Sequence, residues 1–418
     1  MITRQRIGGA AALVMLAAAA SPAGVRPRPR TRPARLRGPV VSRIPIPSFP
    51  GAYAIWGATG RDARGHIWFG VTSHGSASPS ARLFEYVPQS GKVIARGDVL
   101  GALKRSGLAR AGQRQAKIHS RIVQAGDGHL YFASMDETGE SQSEQVPPKW
   151  GSHLWRLRLP EAAWEHLLAA PEGLIAVAGG GRHVYALGYF THRLYQYDCK
   201  SGRRRSVEVG SYAGHVSRNF FTDRAGHAYV PRLRAPARRR DRPRATLVEF
   251  DTSLREIAQT ELKRYLTGRP ARSEGITAFQ ELPDGRIAFL TSGGHLHLVE
   301  PSRSGPAKVI RLGWFYPDGW SQTRSLFADS AGRLAGLSTR WGDFEWVVYD
   351  LKTRSGRAGP FRVSRPESAS LVNAWVYGSV TRDDAGNYYV GGAVSAGGER
   401  EPVLLQVRPA GRETRKAD

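Results

Sequence analysis

The chain of 418 residues is poor in cysteine, in carboxylates and in long apolar runs. Its single cysteine, Cys199, has no partner for a disulfide within these residues, so packing must stabilise the fold. Asp and Glu number 35 against 61 Lys and Arg, which gives a formal net charge of +26 and favours anionic partners. The apolar run at 7–20 is shorter than the roughly 20 residues that a membrane-spanning helix needs, so no membrane span is expected.

The first residues have the pattern of an export signal. A basic start, MITRQR, precedes the apolar run, and small side chains at Ala18, Ala20 and Ala23 suit cleavage, so we expect a signal peptide at 1–23. Residues 24–39 are rich in Pro and Arg and are expected to form a disordered linker. A repeat region follows at 40–408, and 409–418 form a charged tail. This organisation predicts a secreted or periplasmic bacterial protein.

One strand–turn–strand unit recurs along the repeat region. It is clearest in KIHSRIVQAGDGHLYF, where Gly126-Asp127-Gly128 separates two apolar and β-branched runs. Other copies include Asp62-Ala-Arg-Gly-His-Ile-Trp-Phe and Asp384-Ala-Gly-Asn-Tyr-Tyr-Val. The copies recur about every 54 residues, the size of a four-stranded propeller blade. Their anchor glycines are Gly65, Gly128, Gly181, Gly226, Gly285, Gly332 and Gly386.

The repeat predicts an all-β protein, a seven-bladed β-propeller with four antiparallel strands in each blade. After Val407 the chain has only a charged tail, so the last blade lacks a fourth strand. A strand-like segment at about 40–46 is left over at the start of the repeat region. We expect this N-terminal strand to complete the last blade and close the ring, because an open sheet edge would be a liability.

Topology predicts where the functional residues lie. The anchor turns join the first and second strands of every blade, so the starts of the first strands lie on the opposite face, together with the longer loops. The side chains predicted there are rich in His, Arg and Tyr and poor in carboxylates, which suits an anionic, ring-shaped ligand. The candidates are His119, Arg121, His153, Tyr189, His192, His215, Arg218, Arg324, Arg340 and Tyr377.

Three segments resemble one enzyme family. KIHSRIVQAGDGHLYFAS, GSHLWRL and HVSRNFFTDRAGHAYV are similar to motifs of the seven-bladed propeller polysaccharide lyases, namely the ulvan-lyase-like group and, more distantly, the oligogalacturonide lyases. This resemblance implies β-elimination at a uronic acid of an anionic polysaccharide. It also implies that His119 and Tyr189 form the acid/base pair and that Arg218 neutralises the uronate. The other candidates would then bind the substrate.

The sequence predicts no cofactor and fixes no metal site. Metal binding varies among the lyases that the chain resembles, so a divalent ion such as Zn, Ca or Mn stays open. His295 and His297 lie on one face of a predicted strand, but no third ligand is evident, and a structural role is favoured over a metal site.

Two other classes of function remain open. A non-catalytic propeller that binds an anionic glycan or a protein partner would use the same basic face. A metal-dependent hydrolase or lyase of the lactonase or streptogramin-lyase type needs carboxylates at the first-strand starts, where only Glu274 is suited.

Ordinary hydrolysis is disfavoured by the lack of a G-x-S-x-G elbow and of paired carboxylates. Nucleic acid is not expected as a partner, because no binding motif accompanies the charge. The chain is expected to act as a monomer.

Overall fold

The structure is a computed structural model that describes residues 36–75, 79–141, 146–238, 240–266, 275–302, 304–329, 331–340, 343–363, 375–396 and 399–410. The predicted signal peptide at 1–23 lies outside these ranges, as do residues 24–35 of the predicted linker and 411–418 of the predicted tail. None of the helices in the described ranges has the length and apolar character of a transmembrane span.

The described residues form seven antiparallel sheets of four strand positions each, which confirms the seven-bladed prediction. Strand β1 (Val40–Ile44) precedes the first blade. Blade one contains β2 (Ala52–Ala54), β3 (Thr59–Arg61), β4 (Ile67–Ser73), β5 (Arg82–Val87) and β6 (Lys92–Asp98), followed by the helix α1 (Val99–Arg105). Blade two contains β7 (Lys117–Ile118), β8 (Val123–Gln124), β9 (Leu130–Met135), β10 (Ser152–Arg158) and β11 (Ala163–Ala170).

Blades three to five have an uninterrupted inner strand. Blade three contains β12 (Leu174–Gly180), β13 (His183–Gly188), β14 (Arg193–Asp198) and β15 (Arg204–Glu208), and a short 3₁₀ turn follows at Tyr212–Gly214. Blade four contains β16 (Phe221–Thr222), β17 (Ala228–Arg234), β18 (Arg244–Phe250) and β19 (Glu256–Glu261). Blade five contains β20 (Ile276–Glu281), β21 (Ile287–Thr291), β22 (His295–Glu300) and β23 (Lys308–Trp314).

Blades six and seven differ from blades three to five in one strand each. Blade six has an inner strand in two pieces, as blades one and two do, and contains β24 (Gln322–Thr323), β25 (Phe327–Ala328), β26 (Arg333–Arg340), β27 (Asp343–Asp350) and β28 (Ser355–Pro360). Blade seven contains β29 (Trp375–Arg382), β30 (Tyr388–Ala396) and β31 (Glu399–Arg408), and β1 supplies its outer strand.

The ring closes through the N-terminal strand, as predicted. β1 pairs antiparallel with β31 from Val40 opposite Arg408 to Ile44 opposite Leu404. The paired residues Val41 and Val407 are fully buried against the neighbouring sheets. The closing strand therefore covers the edge of β31 and links the two ends of the repeat region.

The anchor turns explain why the repeat takes its particular form. All seven anchor glycines have positive φ angles, between 55° and 90°, a conformation that only glycine adopts without strain. In blades one, four and seven, the turn aspartate accepts a hydrogen bond from the aromatic side chain six residues later. The pairs are Asp62 with Trp68, Asp223 with Tyr229, and Asp383 with Tyr389.

Blade seven uses a different aspartate from the one in the sequence repeat. Asp383, and not Asp384, accepts the backbone N–H of Asn387 at 2.8 Å and the Tyr389 hydroxyl at 2.8 Å. Asp384 instead forms an ion pair with Arg61 of blade one. The anchor position is set by the spacing to the aromatic ring, because the carboxylate must reach both the turn and that ring.

The core is a series of apolar clusters, each of which lies between two adjacent blades. Trp68 of blade one packs with Trp155 of blade two, for example, and Ile67 of blade one packs with Tyr389 of blade seven across the closure. Burying a large apolar side chain contributes about 1.5–3 kcal/mol. Each blade is therefore held on both sides, and the inner strands form a rigid frame for the residues at their ends.

Candidate functional site

One cavity of about 400 Å³ lies where the inner strands of the seven blades begin. We call it the central pocket. Every blade contributes to its lining, which includes Trp56, His119, Ile175, Arg218, Ile276, Arg324 and Tyr377 from blades one to seven in turn. Because each blade supplies a different side chain, the pocket can form only in the closed ring.

Serine–arginine pairs interrupt the inner strands at this pocket. In blades two and six, Ser120 and Ser325 each accept a hydrogen bond from a backbone N–H of the second strand, at 2.8 and 2.9 Å. The hydroxyl thus takes the place of a ladder carbonyl, and the inner strand breaks there without leaving a buried donor unpaired. The adjacent arginines, Arg121 and Arg324, leave the ladder at these breaks and line the central pocket.

Blade four uses a related device. Ser217 accepts the backbone N–H of Ile276 at 3.1 Å and so ties the segment before β16 to the inner strand of blade five. Asn219 donates from its amide to the Ile276 carbonyl at 2.9 Å, which reinforces the same junction. Arg218 stands between these two anchored residues and projects into the central pocket. Its backbone is therefore fixed although its side chain is exposed.

His119 is kept neutral in the central pocket. The residue follows β7 and is half-buried, and its ring lies parallel to the indole of Trp56, with centroids 6.2 Å apart and an interplanar angle of 11°. Burial, followed by the charges of Arg218 and Lys117, lowers the pKa of His119 to about 3. At neutral pH the imidazole therefore has a free lone pair and can accept a proton.

Three guanidinium groups give the central pocket its charge. Within the described ranges no carboxylate lines the pocket, and none pairs with Arg121, Arg218 or Arg324. All three contact aromatic rings instead: Arg121 lies 3.6 Å from the centroid of Phe279, Arg324 lies 5.6 Å from that of Tyr377, and Arg218 lies 5.9 Å from that of Tyr189. Burial lowers the pKa of Arg121 to about 9 and also lowers the pKa of Arg324. Such a set of cations without carboxylate partners is suited to an anionic ligand.

Tyr189 adjoins the central pocket through Arg218. Its ring is buried just after β13, and its hydroxyl lies 3.5 Å from Nη2 of Arg218. Burial raises the pKa of Tyr189 above its usual value, although the charge of Arg218 opposes this. The phenol therefore stays protonated at neutral pH and can donate. Arg218 is thus the group that connects His119 in the pocket with the Tyr189 hydroxyl.

The structure brings five of the ten candidates together in the central pocket, with Tyr189 next to it. These five are His119, Arg121, Arg218, Arg324 and Tyr377. His153 lies outside, where it contacts His166 of the outer strand at 3.0 Å. Arg340 also lies outside, with its guanidinium 5.0 Å from the centroid of Tyr316.

His192 and His215 line a second cavity of about 450 Å³ between blades three and four. Their rings are 6.2 Å apart, and both side chains are buried. Burial lowers the pKa of His192 to about 3, so its ring is neutral and only one ring nitrogen carries a proton. Nδ1 donates that proton to the Gly210 carbonyl, and Nε2 then carries the lone pair. This cavity also contains carboxylates, Glu172 and Glu208, so its chemistry differs from that of the central pocket.

Sequence reasoning missed several lining residues, and one signal would have found some of them. In every blade except blade three, a pocket residue stands eight or nine positions before the anchor glycine, whereas Ile175 of blade three stands six before Gly181. Trp56 stands nine before Gly65, in the same register as His119 before Gly128. Its ring lies 4.2 Å from that of Tyr377. Gln322 and Trp320 were also missed, and they lie just outside this register.

No metal site is supported among the residues that can be described. The one cluster of metal-binding type is Asp62, His66 and Glu85 at the anchor turn of blade one. Arg64 and Arg96 already form ion pairs with its carboxylates, so the cluster is a salt-bridge network. His295 and His297 are buried and stack on Trp314 and Phe289, respectively, without a third ligand group in the described ranges. Glu274 lies outside those ranges.

Comparison with known proteins supports the fold. No family model matches the chain, and no curated protein matches it. Among solved structures, the chain is similar to the extracellular domain of a hybrid two-component system from B. thetaiotaomicron, with 14% identity and a TM-score of 0.52. That match covers 88% of this chain but 39% of the other. A second similar structure is Kuenenia stuttgartiensis hydrazine synthase, with 10% identity, a TM-score of 0.50, and 88% and 97% of the two chains covered. At these identities the likeness shows the propeller fold alone.

Proposed function

We propose that this protein is an exported polysaccharide lyase that cleaves a uronate-containing polysaccharide by β-elimination in the central pocket. The observation that carries the proposal is the position of Arg218, which lines the pocket with His119 and lies 3.5 Å from the Tyr189 hydroxyl. A carboxylate bound by Arg218 would thus lie near both an acceptor and a donor of protons. The sequence pattern at 1–23 supports export.

The pKa directions of His119 and Tyr189 support a division of the two proton transfers between these residues. His119 is neutral above about pH 3 and so can act as the base, whereas Tyr189 is protonated because its pKa is raised and so can act as the acid. Free His119 is a weak base, because burial and the charge of Arg218 oppose its protonation. A uronate bound to Arg218 would offset that charge and raise the pKa of His119 toward neutrality.

The proposed step conserves atoms and electrons. His119 removes the proton on C5 of the uronate, and the electron pair forms the C4–C5 double bond as the C4–O glycosidic bond breaks. Tyr189 gives its proton to the leaving oxygen. Negative charge develops on the carboxylate during this step, so the Arg218 guanidinium stabilises the transition state more than the ground state. No water or cofactor is consumed.

A second candidate function is binding without catalysis. It is favoured by one observation, namely that Tyr189 contacts Arg218 from outside the lining of the central pocket. If the phenol does not reach the leaving oxygen, the three arginines and the aromatic walls would hold an anionic glycan without cleaving it.

One experiment separates the two candidates. The purified protein is incubated with alginate, polygalacturonate and ulvan, and the ultraviolet absorbance of the unsaturated product is followed. The lyase proposal expects product from at least one polymer, with loss of the signal in His119→Ala and Tyr189→Phe. Arg255→Ala is the matched control, since that exposed arginine pairs with Asp251 away from the pocket. Polymer binding by the folded protein without any product would reject the lyase and support the binding candidate.

A further inference from the structure

Two exposed tryptophans continue outward from the central pocket over blade five. Trp320 belongs to the pocket lining, and Trp314 is the last residue of β23. They are 45% and 43% exposed, which is unusual for the largest apolar side chain. Both rings lie against Gly294, where a Cβ atom would come within 3.2 Å of each of them. The rings therefore flank one point, and together they form what we call the tryptophan strip.

Both rings are held in place before any ligand arrives. The Trp320 indole N–H donates to the Ser292 carbonyl at 3.0 Å, and Ser292 itself lines the central pocket. Trp314 stacks on the buried ring of His295, with centroids 4.0 Å apart and an interplanar angle of 24°. Exposed aromatic rings that are already fixed lose little conformational entropy on binding, which favours a role in recognition.

Positive charge borders the tryptophan strip. Arg264 and Arg311 are exposed: the backbone of Arg264 lies against Gly293, next to Gly294, and Arg311 of β23 is paired with His297 of β22. Burial, followed by the charges of Arg311 and Arg264, lowers the pKa of His295, which lies under Trp314. Neither arginine forms an ion pair with a carboxylate in the described parts of the chain. The strip thus combines flat apolar faces with unpaired cations, and it is continuous with the cationic central pocket.

We infer that the tryptophan strip binds the sugar rings next to the one held in the central pocket, so that the site takes a stretch of anionic polysaccharide and not a single sugar. The C–H faces of pyranose rings pack on the indoles, while their anionic substituents pair with Arg264 and Arg311. This inference rests on the proposed function only in taking the occupant of the pocket to be an anionic glycan, and it does not need the lyase chemistry.

The test measures binding in the His119→Ala background, so that no substrate is consumed. Affinity for each of the three uronate polymers and for a uronate disaccharide is measured by titration calorimetry. Trp314→Ala is expected to weaken polymer binding about tenfold and to leave disaccharide binding unchanged, because Trp314 lies outside the pocket lining. Trp314→Phe should retain most of the polymer affinity. Ile257→Ala is the control, since it removes an exposed apolar side chain from the outer strand of blade four.

A second variant guards against misfolding. Arg264→Ala combined with Arg311→Ala leaves both rings in place and is expected to weaken polymer binding about tenfold, with a reduced dependence on salt. Polymer affinity equal to that of the parent in either folded variant would overturn the inference, and so would a complete lack of polymer binding by the parent. Failure of the lyase proposal gives a different result, in which the strip-dependent binding persists but no unsaturated product forms.

Discussion

At the anchor turns of blades one, four and seven, buried carboxylates have hydrogen-bond or ion-pair partners, whereas at the pocket end of the inner strands three arginines have no carboxylate partner among the described residues. Glu85, for example, is fully buried and contacts Arg64, His66 and Arg96. The partner of Arg218 among the described residues is Tyr189, whose hydroxyl lies 3.5 Å and whose ring centroid lies 5.9 Å from the guanidinium. Leaving a desolvated charge such as that of Arg121 or Arg324 without a counter-charge costs free energy. We therefore expect the anchor turns to stabilise the fold and propose that the central pocket binds an anionic ligand.

The largest effect is expected for a substitution in the central pocket. Arg218→Ala should lower kcat/KM for a cleaved uronate polymer by about 10³-fold, because one preorganised charge partner of the transition state typically contributes 10²–10³. The free energy of unfolding should stay within about 0.5 kcal/mol of wild type, since an exposed, unpaired charge is lost. Kinetics and urea unfolding test both statements. If Arg218→Ala lowered the free energy of unfolding as much as a substitution at an anchor turn does, the proposed difference between the two regions would be wrong.

The opposite outcome is expected for a substitution at an anchor turn, namely a loss of stability without a change in activity. Asp62→Ala removes a buried carboxylate that accepts the Trp68 indole and the backbone N–H of His66, and should lower the free energy of unfolding by about 3 kcal/mol. The kcat/KM of the folded fraction should not change. Asp384→Ala is the control, because its ion pair with Arg61 is exposed and should contribute less than about 1 kcal/mol. Equal effects of the two variants would contradict this account of the turn.

The third prediction concerns basic groups that burial keeps neutral. The pKa of His297 is lowered to about 4, mainly by burial, whereas the unfolded chain binds this proton near pH 6.5. Its contribution to stability is therefore complete above about pH 6.5 and is lost as the pH falls toward 4, with a slope of at most about 1.4 kcal/mol per pH unit. His297→Phe keeps an aromatic ring against Phe289. Between pH 7.5 and 5, the free energy of unfolding of this variant should fall less than that of the wild-type protein. An identical slope in both proteins would refute the assignment.

The smallest expected effect is a nearly flat pH profile at the pocket. His119 stays neutral down to about pH 3, and the pKa of Tyr189 is raised above its usual value. Both groups are then in the required state from about pH 5 to about pH 9, and kcat/KM, which reports the free enzyme, should vary less than threefold in that range. An acid limb near pH 6.5 in the kcat/KM profile of the wild-type protein would contradict the lowered pKa of His119.

Much of the fold follows from local chemistry. The anchor glycines mark seven turns that need positive φ, and the missing outer strand of blade seven indicates the closure by β1. These features depend on nearby residues and on counting strands, so the sequence contains them. The anchor aspartate of blade seven was misassigned because two aspartates, Asp383 and Asp384, are adjacent and only the distance to Tyr389 separates them.

The site was predictable only where the inner strand supplies it. His119, Arg218 and Arg324 precede their anchor glycines by eight or nine residues, and that register faces the pocket. His153 is the second residue of the third strand of its blade, two strand spacings or about 10 Å from the inner strand, so it contacts the outer strand instead. His192 and His215 occupy their own cavity, because they lie at the junction of two blades. The distance of a residue from the central pocket depends on how whole sheets pack around the ring, which the local sequence does not show.

The most direct test of the central claim compares one uronate polymer with the same polymer after its carboxylates have been reduced to alcohols. If the unpaired arginines of the central pocket bind the uronate beside His119 and Tyr189, the wild-type protein will form unsaturated product from the first polymer and none from the second, and Arg218→Ala will form almost none from either. Folded wild-type protein that produces nothing from any uronate polymer, or that also cleaves the reduced one, would contradict it.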